Sequence, residues 1–336
     1  MKRLRIIVMV DERLIPPVET QNTRDDFAEW VTEFDVCSTL MKMGHEVKIL
    51  GVYSDLKIIR TTIEKFKPHL IYNLLEEFNG ETFFDQNVVS YLELLGVPYT
   101  GCNPRGLIIA RDKALTKKIL SYHRIKTPKF WAFRKGQRRK IPKNLKYPVI
   151  VKCLKEDASY GISKASVVHN EASLKERIEY VHKKLLSDVI VEEFIEGREL
   201  YVGILGNNRL QTFPVWELHF EKSDSPEKEL YSTRAKFNKE YRNRKGIRTS
   251  KAKISKELEQ KIYAICKRAF KVLEQNGYSR IDIRLTENDE VYVIEANPNP
   301  DISSIDEFAS SAKEAGIKYD QLLEKILKKA LSWSAV

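Results

Sequence analysis

Residues 277–303 read GYSRIDIRLTENDEVYVIEANPNPDIS. Two runs rich in β-branched and aromatic residues flank a short polar segment, which is the pattern of an antiparallel hairpin. Asn288-Asp289 serves as a two-residue turn, since both residues tolerate positive φ. That register sets Asp282 opposite Glu295 and Arg280 opposite Asn297. Opposed residues project to the same face, with Cβ atoms in each pair roughly 4.5–5.5 Å apart. Ile281, Ile283, Tyr292 and Ile294 take the other face, as a core requires. Two facing carboxylates repel unless something positive lies between them. Either Arg280 or a nearby lysine neutralises them as a structural ion pair, or a divalent cation bridges Asp282 and Glu295 with the Asn297 amide oxygen as a further ligand. An all-oxygen donor set suits Mg²⁺ or Mn²⁺. The NPNPD that follows cannot continue a ladder, so the strand end is expected to stay open to a ligand.

The chain around this hairpin is 336 residues long, enough for two or three subdomains. The apolar run after MKRLR is cut by Asp11, too soon for a signal-peptide core, and no stretch reaches the length that spans a bilayer. A cytoplasmic, soluble protein with no membrane partner is expected. Cys37, Cys102, Cys153 and Cys266 are scattered with no C-x-x-C pair, which argues against a disulfide framework or a zinc site. The net charge is +11, and its densest run, RKGQRRKIPKNLK at 134–146, has seven basic residues and no acid. It lacks interleaved aromatics and fits no nucleic-acid module, so it reads as a solvated loop. A basic surface also suits a phosphorylated substrate.

The first hundred residues alternate apolar runs at 4–10, 46–53 and 69–75 with helical patterns, an open α/β layer. The first helix would carry Phe27, Trp30, Val31, Phe34 and Met41 on one face and stop at Gly44; the next carries Leu56, Ile59, Ile63 and Phe66. GVPYTGCNPRG at 96–106 is rich in turn formers and marks a boundary. A single helix is expected around 107–123, then strands at 147–153, 162–168 and 188–195 with a helix near 171–186. A strand at 199–205 precedes a polar stretch, 221–253, too polar for core. A helix capped by Ser255 and stopped by Gly277 leads into the hairpin, and a terminal helix presents Leu322, Leu323, Ile326 and Leu327. The later part is thus α+β. No G-x-G-x-x-G, no G-x-x-x-x-G-K-[ST] and no G-x-S-x-G occurs, which removes the dinucleotide fingerprint, the Walker loop and the serine-hydrolase elbow.

With these segments in view, the chain resembles the ATP-grasp ligases, in particular the D-alanine–D-alanine ligase group. VPYTGCNPRGLIIARDKALTKKIL resembles the family's entry to its central domain, which places Lys113 on ATP. YPVIVKCLKEDASYGISK resembles its phosphate lysine and glycine-containing loop, which places Lys152 on the phosphates with Ser159 and Gly161 in the loop over them. VIVEEFIEGRELYVGIL resembles the adenine-binding linker, with Glu192, Glu193, Phe194, Ile195 and Glu199 toward the nucleotide. STRAKFNKEY resembles the mobile loop that closes over triphosphate, with Lys236 as its lysine, and the hairpin resembles the metal site, with Arg280, Asp282, Glu295 and Asn297 at matching places. The residues themselves are compatible with this. Lys152 ends an apolar strand and needs an anionic partner, phosphate or acid; Glu199 reads equally as a ribose acceptor or an exposed strand acid.

The resemblance implies an ATP-grasp fold: a Rossmann-like domain over 1–104, a central subdomain over 105–194 and a metal-bearing subdomain over 195–336. It implies ATP with Mg²⁺ or Mn²⁺, a small-molecule carboxylate and an amine as substrates, and, from the family's habit, a homodimer. A carboxylate would attack the γ-phosphate to give an acyl phosphate, and an amine would then displace phosphate. Arg280 would hold the oxyanion, and Glu81, from the Gly80-Glu81 pair, would reach the substrate. The family's N-terminal Gly-rich stretch is replaced by VDERLIPPVE. Its network serine falls at Ala158 with Ser159 one place on, its loop tyrosine at Phe237, and its oxyanion-hole glycine at Asp301. The expected substrate is accordingly an amino acid or peptide-like acceptor other than D-alanine. A true D-alanine–D-alanine ligase, an ATP-grasp kinase and a non-catalytic nucleotide-binding regulator are the other readings.

Overall fold

The computed structural model describes residues 2–17, 24–26, 28–137, 140–143, 145–155 and 161–333, with the backbone alone at Glu227, Thr233 and Phe237. Three sheets organise it. The first holds β1 (Arg5–Asp11), β2 (Glu46–Val52) and β3 (Leu70–Asn73), all parallel, in the order β2-β1-β3. Ile6 to Val10 are fully buried, as a parallel strand covered on both faces requires. The second sheet holds β4 (Phe130–Phe133), β5 (Val149–Cys153), β6 (Val167–Val168) and β7 (Val189–Glu193), antiparallel, in the order β4-β7-β5-β6. The third holds β8 (Arg198–Leu205), β9 (Gln211–Thr212), β10 (Trp216–Phe220), β11 (Ile247–Lys251), β12 (Tyr278–Leu285) and β13 (Val291–Pro298). Its order is β11-β10-β8-β12-β13, with β9 on β8.

The hairpin forms, by a different route. Its loop is longer than two residues: Asp289 N–H donates to the Thr286 carbonyl and Thr286 N–H to the Glu290 carbonyl, with Asp289 at φ 55. That pairs Leu285 with Val291 and Ile283 with Val293. A β-bulge at Asp282/Ile283 then inserts one residue, Ile294, and restores Asp282 opposite Glu295 and Arg280 opposite Asn297. The bulge has a cost to the facing expected for the apolar residues. Val291, Val293 and Ala296 join Ile281 and Ile283 in the core, while Tyr292 and Ile294 do not. Pairing also runs on through Pro298 opposite Ser279, and Asn299 N–H donates to the Tyr278 carbonyl at 3.2 Å.

Other elements depart from the pattern in instructive ways. Helix Val31–Lys42 buries Glu33, Val36, Cys37 and Leu40, with Met41 half exposed; Phe27 lies outside the described residues. The stretch around 107–123 is two helices, Pro104–Arg111 and Lys113–Tyr122. Asp112 breaks it in an extended conformation and accepts from Leu115 N–H at 2.9 Å, which places Lys113 first in the second helix. Of 162–168 only Val167–Val168 is strand. The helix capped by Ser255 ends at Val272, short of Gly277. The polar stretch 221–253 contains two short helices, Thr233–Phe237 and Lys239–Lys245, and strand β11. Ala235, Tyr241 and Ile247 make a small core with Tyr201, Leu218 and Phe220. The terminal helix Tyr319–Leu331 buries the four predicted residues, in one core with Ile6, Val8, Leu70 and, from the third sheet, Leu205 and Tyr278.

Candidate active site

The four hairpin side chains face a cavity of about 490 Å³, which the second and third sheets and the segment after β13 line together. Arg280 donates to both Asp282 oxygens, at 2.8 and 3.1 Å, and Asn297 Nδ2 donates to Asp282 Oδ2 at 2.9 Å. Glu295 pairs instead with Lys113 Nζ at 3.0 Å. The strand's exit is anchored: Asn299, at φ 52, accepts from Cys102 N–H at 2.8 Å. Gly101 has to be glycine there, since a Cβ would lie 2.5 Å from Asn299 Oδ1.

Charge separates the two facing carboxyls. Burial raises Asp282 to about 6 against the pull of Arg280. Burial acts on Glu295 too, but Lys113 and Lys152 outweigh it and hold that carboxyl at about 2. Behind them lies a second ion cluster. Lys152 Nζ is 3.0 Å from Glu192 Oε2, and the buried Lys117 is 3.4 Å from Glu192 Oε1. Lys117 also donates to the Ile294 carbonyl at 3.0 Å and to Thr127 Oγ1 at 3.2 Å. One ammonium therefore ties a helix, β7 and the bulge of β13. Glu192 Oε1 is buried without a hydrogen bond.

The remaining expected residues divide. Glu193, Phe194, Ile195, Glu199 and Lys236 line the cavity. Glu199 accepts from Arg284 at 2.7 Å and from the Tyr201 hydroxyl at 2.9 Å. Lys236 lies over the Tyr231 ring, 5.4 Å from its centroid. Two backbone donors of this linker are already used, for Glu193 N–H donates to the Lys129 carbonyl and Phe194 N–H to the Pro148 carbonyl. Glu81 is a correction. A tight turn with Asn79 and Gly80 at positive φ closes a Phe78–Glu81 bridge and leaves Glu81 exposed, away from the cavity, where Glu76 and Asp85 stand instead. Gly161 is not on the cavity either; its carbonyl accepts from Arg177. Ser159, Ala158 and the Phe237 side chain lie outside the described residues.

The family profile described as D-ala D-ala ligase C-terminus matches residues 113–328. The chain is 32% identical over 272 residues to a D-alanine–D-alanine ligase of Natranaerobius thermophilus, covering 78% of this chain and 70% of that one. It belongs to the D-alanine–D-alanine ligase family. An uncharacterized protein, y4sG, of Sinorhizobium fredii is 31% identical over 300 residues, 87% of this chain and 85% of its own. The D-alanine–D-alanine ligase of Bacillus anthracis complexed with ATP superposes with a TM-score of 0.72 at 23% identity, over 98% of this chain and 97% of that one. The VanG D-Ala:D-Ser ligase of Enterococcus faecalis gives 0.71 at 22%, over 98% of this chain and all of its own. The fold is that of the ATP-grasp ligases, and the chain is an ATP-dependent ligase of the C–N bond-forming type.

For this D-alanine–D-alanine ligase relative, Lys117 and Arg284 are the residues that pattern reading passed over. Arg284 sits inside an apolar run and Lys117 beside a second lysine, and a cation in either place looks like a surface position until burial is known. The signal was present in DKALTKK, where Lys117 stands one helical turn from Lys113 on the same face. Among the described residues no three His, Cys, Asp or Glu side chains gather as a metal ligand set. The candidate set is two carboxylates and an amide, a hard-oxygen arrangement that suits Mg²⁺.

Proposed function

We propose that this protein couples a carboxylate to an amine at the expense of ATP, through an acyl phosphate, with substrates other than D-alanine. One observation carries the reading: a single cavity joins the lysines expected on triphosphate, Lys113, Lys152 and Lys236, to the hairpin set Arg280, Asp282, Glu295 and Asn297. Both reactants of the first step are anions, so cations must bring them together. Lys152 and Lys113 are now held by Glu192 and Glu295, and an incoming triphosphate would compete for them. The Glu192 carboxylate, held between Lys117 and Lys152, lines this end of the cavity. Phe194 and Ile195 offer apolar contact beside it, and Glu199 an acceptor for ribose. Gly161 and Ser159 keep their proposed place in the loop over the phosphates.

Asp282, Glu295 and Asn297 would hold Mg²⁺ or Mn²⁺, which when bound offsets phosphate charge and polarises its oxygens. Arg280 would stabilise the oxyanion of the tetrahedral intermediate. Lys236, on the short helix of the 221–253 segment, would close over the triphosphate. We divide the chain at 1–104, 105–194 and 195–336. The supporting fact is that each stretch contains one whole sheet, while the terminal helix returns to the first. Reaction is assigned to the cytoplasm, where ATP is available.

The test is incubation with ATP, Mg²⁺ and pools of carboxylates in the presence of hydroxylamine. A hydroxamate with stoichiometric ADP is expected, since hydroxylamine captures an acyl phosphate. ADP accompanied by a stable phosphorylated product identifies a kinase instead. ATP binding without turnover on any pool identifies a regulator.

A further inference from the structure

The cations that line the cavity are held in two different ways. Lys113, Lys152, Arg280 and Arg284 each pair with a carboxylate, those of Glu295, Glu192, Asp282 and Glu199. Lys236 has no carboxylate partner among the described residues. It lies instead over the Tyr231 ring, 5.4 Å from the centroid, and both residues line the cavity. A carboxylate cancels the charge of the cation it holds and must be displaced before a phosphate takes its place. A ring face attracts an ammonium and leaves its charge intact. The charge of Lys236 is felt at Glu295 and at Glu307, which stands 3.5 Å from Arg280.

The local sequence dictates this meeting. Ser232 caps the short helix Thr233–Phe237, its side chain accepting from Ala235 N–H at 3.3 Å, and Lys236 N–H donates to the Ser232 carbonyl at 2.9 Å. Tyr231 is therefore the residue before the cap and Lys236 the fourth of the helix, two positions that the entry to a helix brings together. Two apolar side chains make that contact in an ordinary staple; here a ring meets an ammonium. The ring is fixed from outside the helix as well. Arg242, on Lys239–Lys245, donates through Nη1 to the Tyr231 hydroxyl and to the Ala235 carbonyl, both at 3.0 Å. Ala235 is fully buried, and Tyr231 packs against its cluster. Burial pushes the Tyr231 hydroxyl up to about 12, so the ring stays neutral beside the lysine.

We propose that Tyr231 is a positioning residue for Lys236: its ring holds the ammonium over the cavity before nucleotide arrives and stays against it once the terminal phosphate is bound. This rests on the proposed placement of Lys236 at the triphosphate and on nothing later in the reaction. The ring covers one side of the ammonium, and the N–H donors on the other side are left for phosphate oxygens. Fixing a lysine side chain costs rotamer entropy, and a lysine already held in the unliganded protein loses less of it on binding. The acids that feel its charge flank Arg280, the end of the cavity where the transferred phosphoryl group belongs. ADP lacks that group and should not sense the ring.

The experiment is calorimetry on the full chain with Mg²⁺, using ADP and the non-hydrolysable β,γ-imido analogue of ATP. Tyr231→Leu keeps an apolar side chain before the cap and removes the ring. It is expected to bind the analogue about tenfold less tightly, the size of a partly desolvated cation–ring contact. Its ADP affinity should stay within about threefold, which also reports that the variant is folded. Tyr231→Phe keeps the ring and should stay within about threefold of the parent on both ligands. In a Lys236→Met background the Tyr231→Leu substitution should add less than about twofold, since the two residues act as one unit. Unchanged or tighter analogue binding in Tyr231→Leu overturns the inference. So does an equal loss on ADP, a loss of the same size in Tyr231→Phe, or a tenfold loss that persists without the lysine. If Lys236→Met alone binds the analogue as the parent does, the placement of Lys236 on triphosphate fails and takes the inference with it. If Lys236→Met is weakened and Tyr231→Leu is not, the inference alone fails.

Discussion

The two ends of the cavity solve opposite problems with the same residue types. At the nucleotide end, Lys113, Lys152 and the buried Lys117 each hold a carboxylate, so the cations are kept in place by acids that a triphosphate can outcompete. At the far end, Asp301, Asp306 and Glu307 carry carboxylates with neutral donors or one stretched guanidinium contact. The first end is preorganised by ion pairs made within the protein; at the second, Asp306 caps the helix that Glu307 opens, and burial raises its carboxyl well above the ordinary carboxylate range. Burial alone does not distinguish them, for both contain buried carboxyls. What differs is whether the counter-charge comes from the chain.

The sharpest way to break this contrast is to remove charge at the junction. Glu295→Gln keeps the shape and deletes a proposed metal oxygen together with the partner of Lys113. ATP turnover is expected to fall roughly a thousandfold, in line with losing a group that stabilises developing charge. Steady-state ADP release measures it, and turnover within threefold of the parent would remove Glu295 from the site. Lys152→Met should cost somewhat less, about a hundredfold, mostly as a raised KM for ATP, because Lys113 and Lys236 remain. Steady-state ADP release against ATP concentration measures it, and an unchanged KM would remove Lys152 from the phosphates.

Lys117 tests the preorganisation itself. Its ammonium is 1% exposed and bridges Glu192, Thr127 and the Ile294 carbonyl of the bulge. Lys117→Met leaves Glu192 with Lys152 alone and the bulge carbonyl without its donor. Breaking a buried pair from one side costs about 3–5 kcal/mol, so a fall in denaturation midpoint of that size is expected. A loss under about 1 kcal/mol would mean that Lys117 is as dispensable as an exposed lysine.

Much of this was legible in the chain, and the hairpin shows why. Alternation and a polar turn identified it, and the pairing of Asp282 with Glu295 came out correctly although the loop did not. A loop longer by one residue and a bulge of one residue cancel at the site. Alternation cannot detect a bulge, because Tyr292 and Ile294 are as apolar as the residues that replace them in the core. The segment 221–253 was read as coreless because its few apolar residues are spread among charges. Its core is assembled from Tyr201, Leu218 and Phe220, which lie in other strands. Lys117 stayed hidden for a similar reason: a buried ion pair between residues 117 and 192 is a fact of tertiary packing. Glu81 was misplaced by sequence nearness to Gly80, where a tight turn reverses its direction.

The smallest expected effect belongs to Glu33, on the helix whose Thr32 holds Asp301, and depends on pH. Burial raises the Glu33 carboxyl to about 7, with the Glu76, Asp301 and Asp11 charges adding to it. A carboxyl with a higher pKa folded than unfolded binds more protons in the native state. Its contribution is therefore fully present below the unfolded value, near 4.5, and is lost as pH rises through 7. A separation of that size corresponds to about 3 kcal/mol at most. Glu33→Gln cannot ionise, so its stability should lack this decline, and the variant should gain on the parent steadily between pH 4.5 and 7. Denaturant midpoints at pH 4, 6 and 8 measure the difference, and parallel curves would show that Glu33 is ionised and solvated.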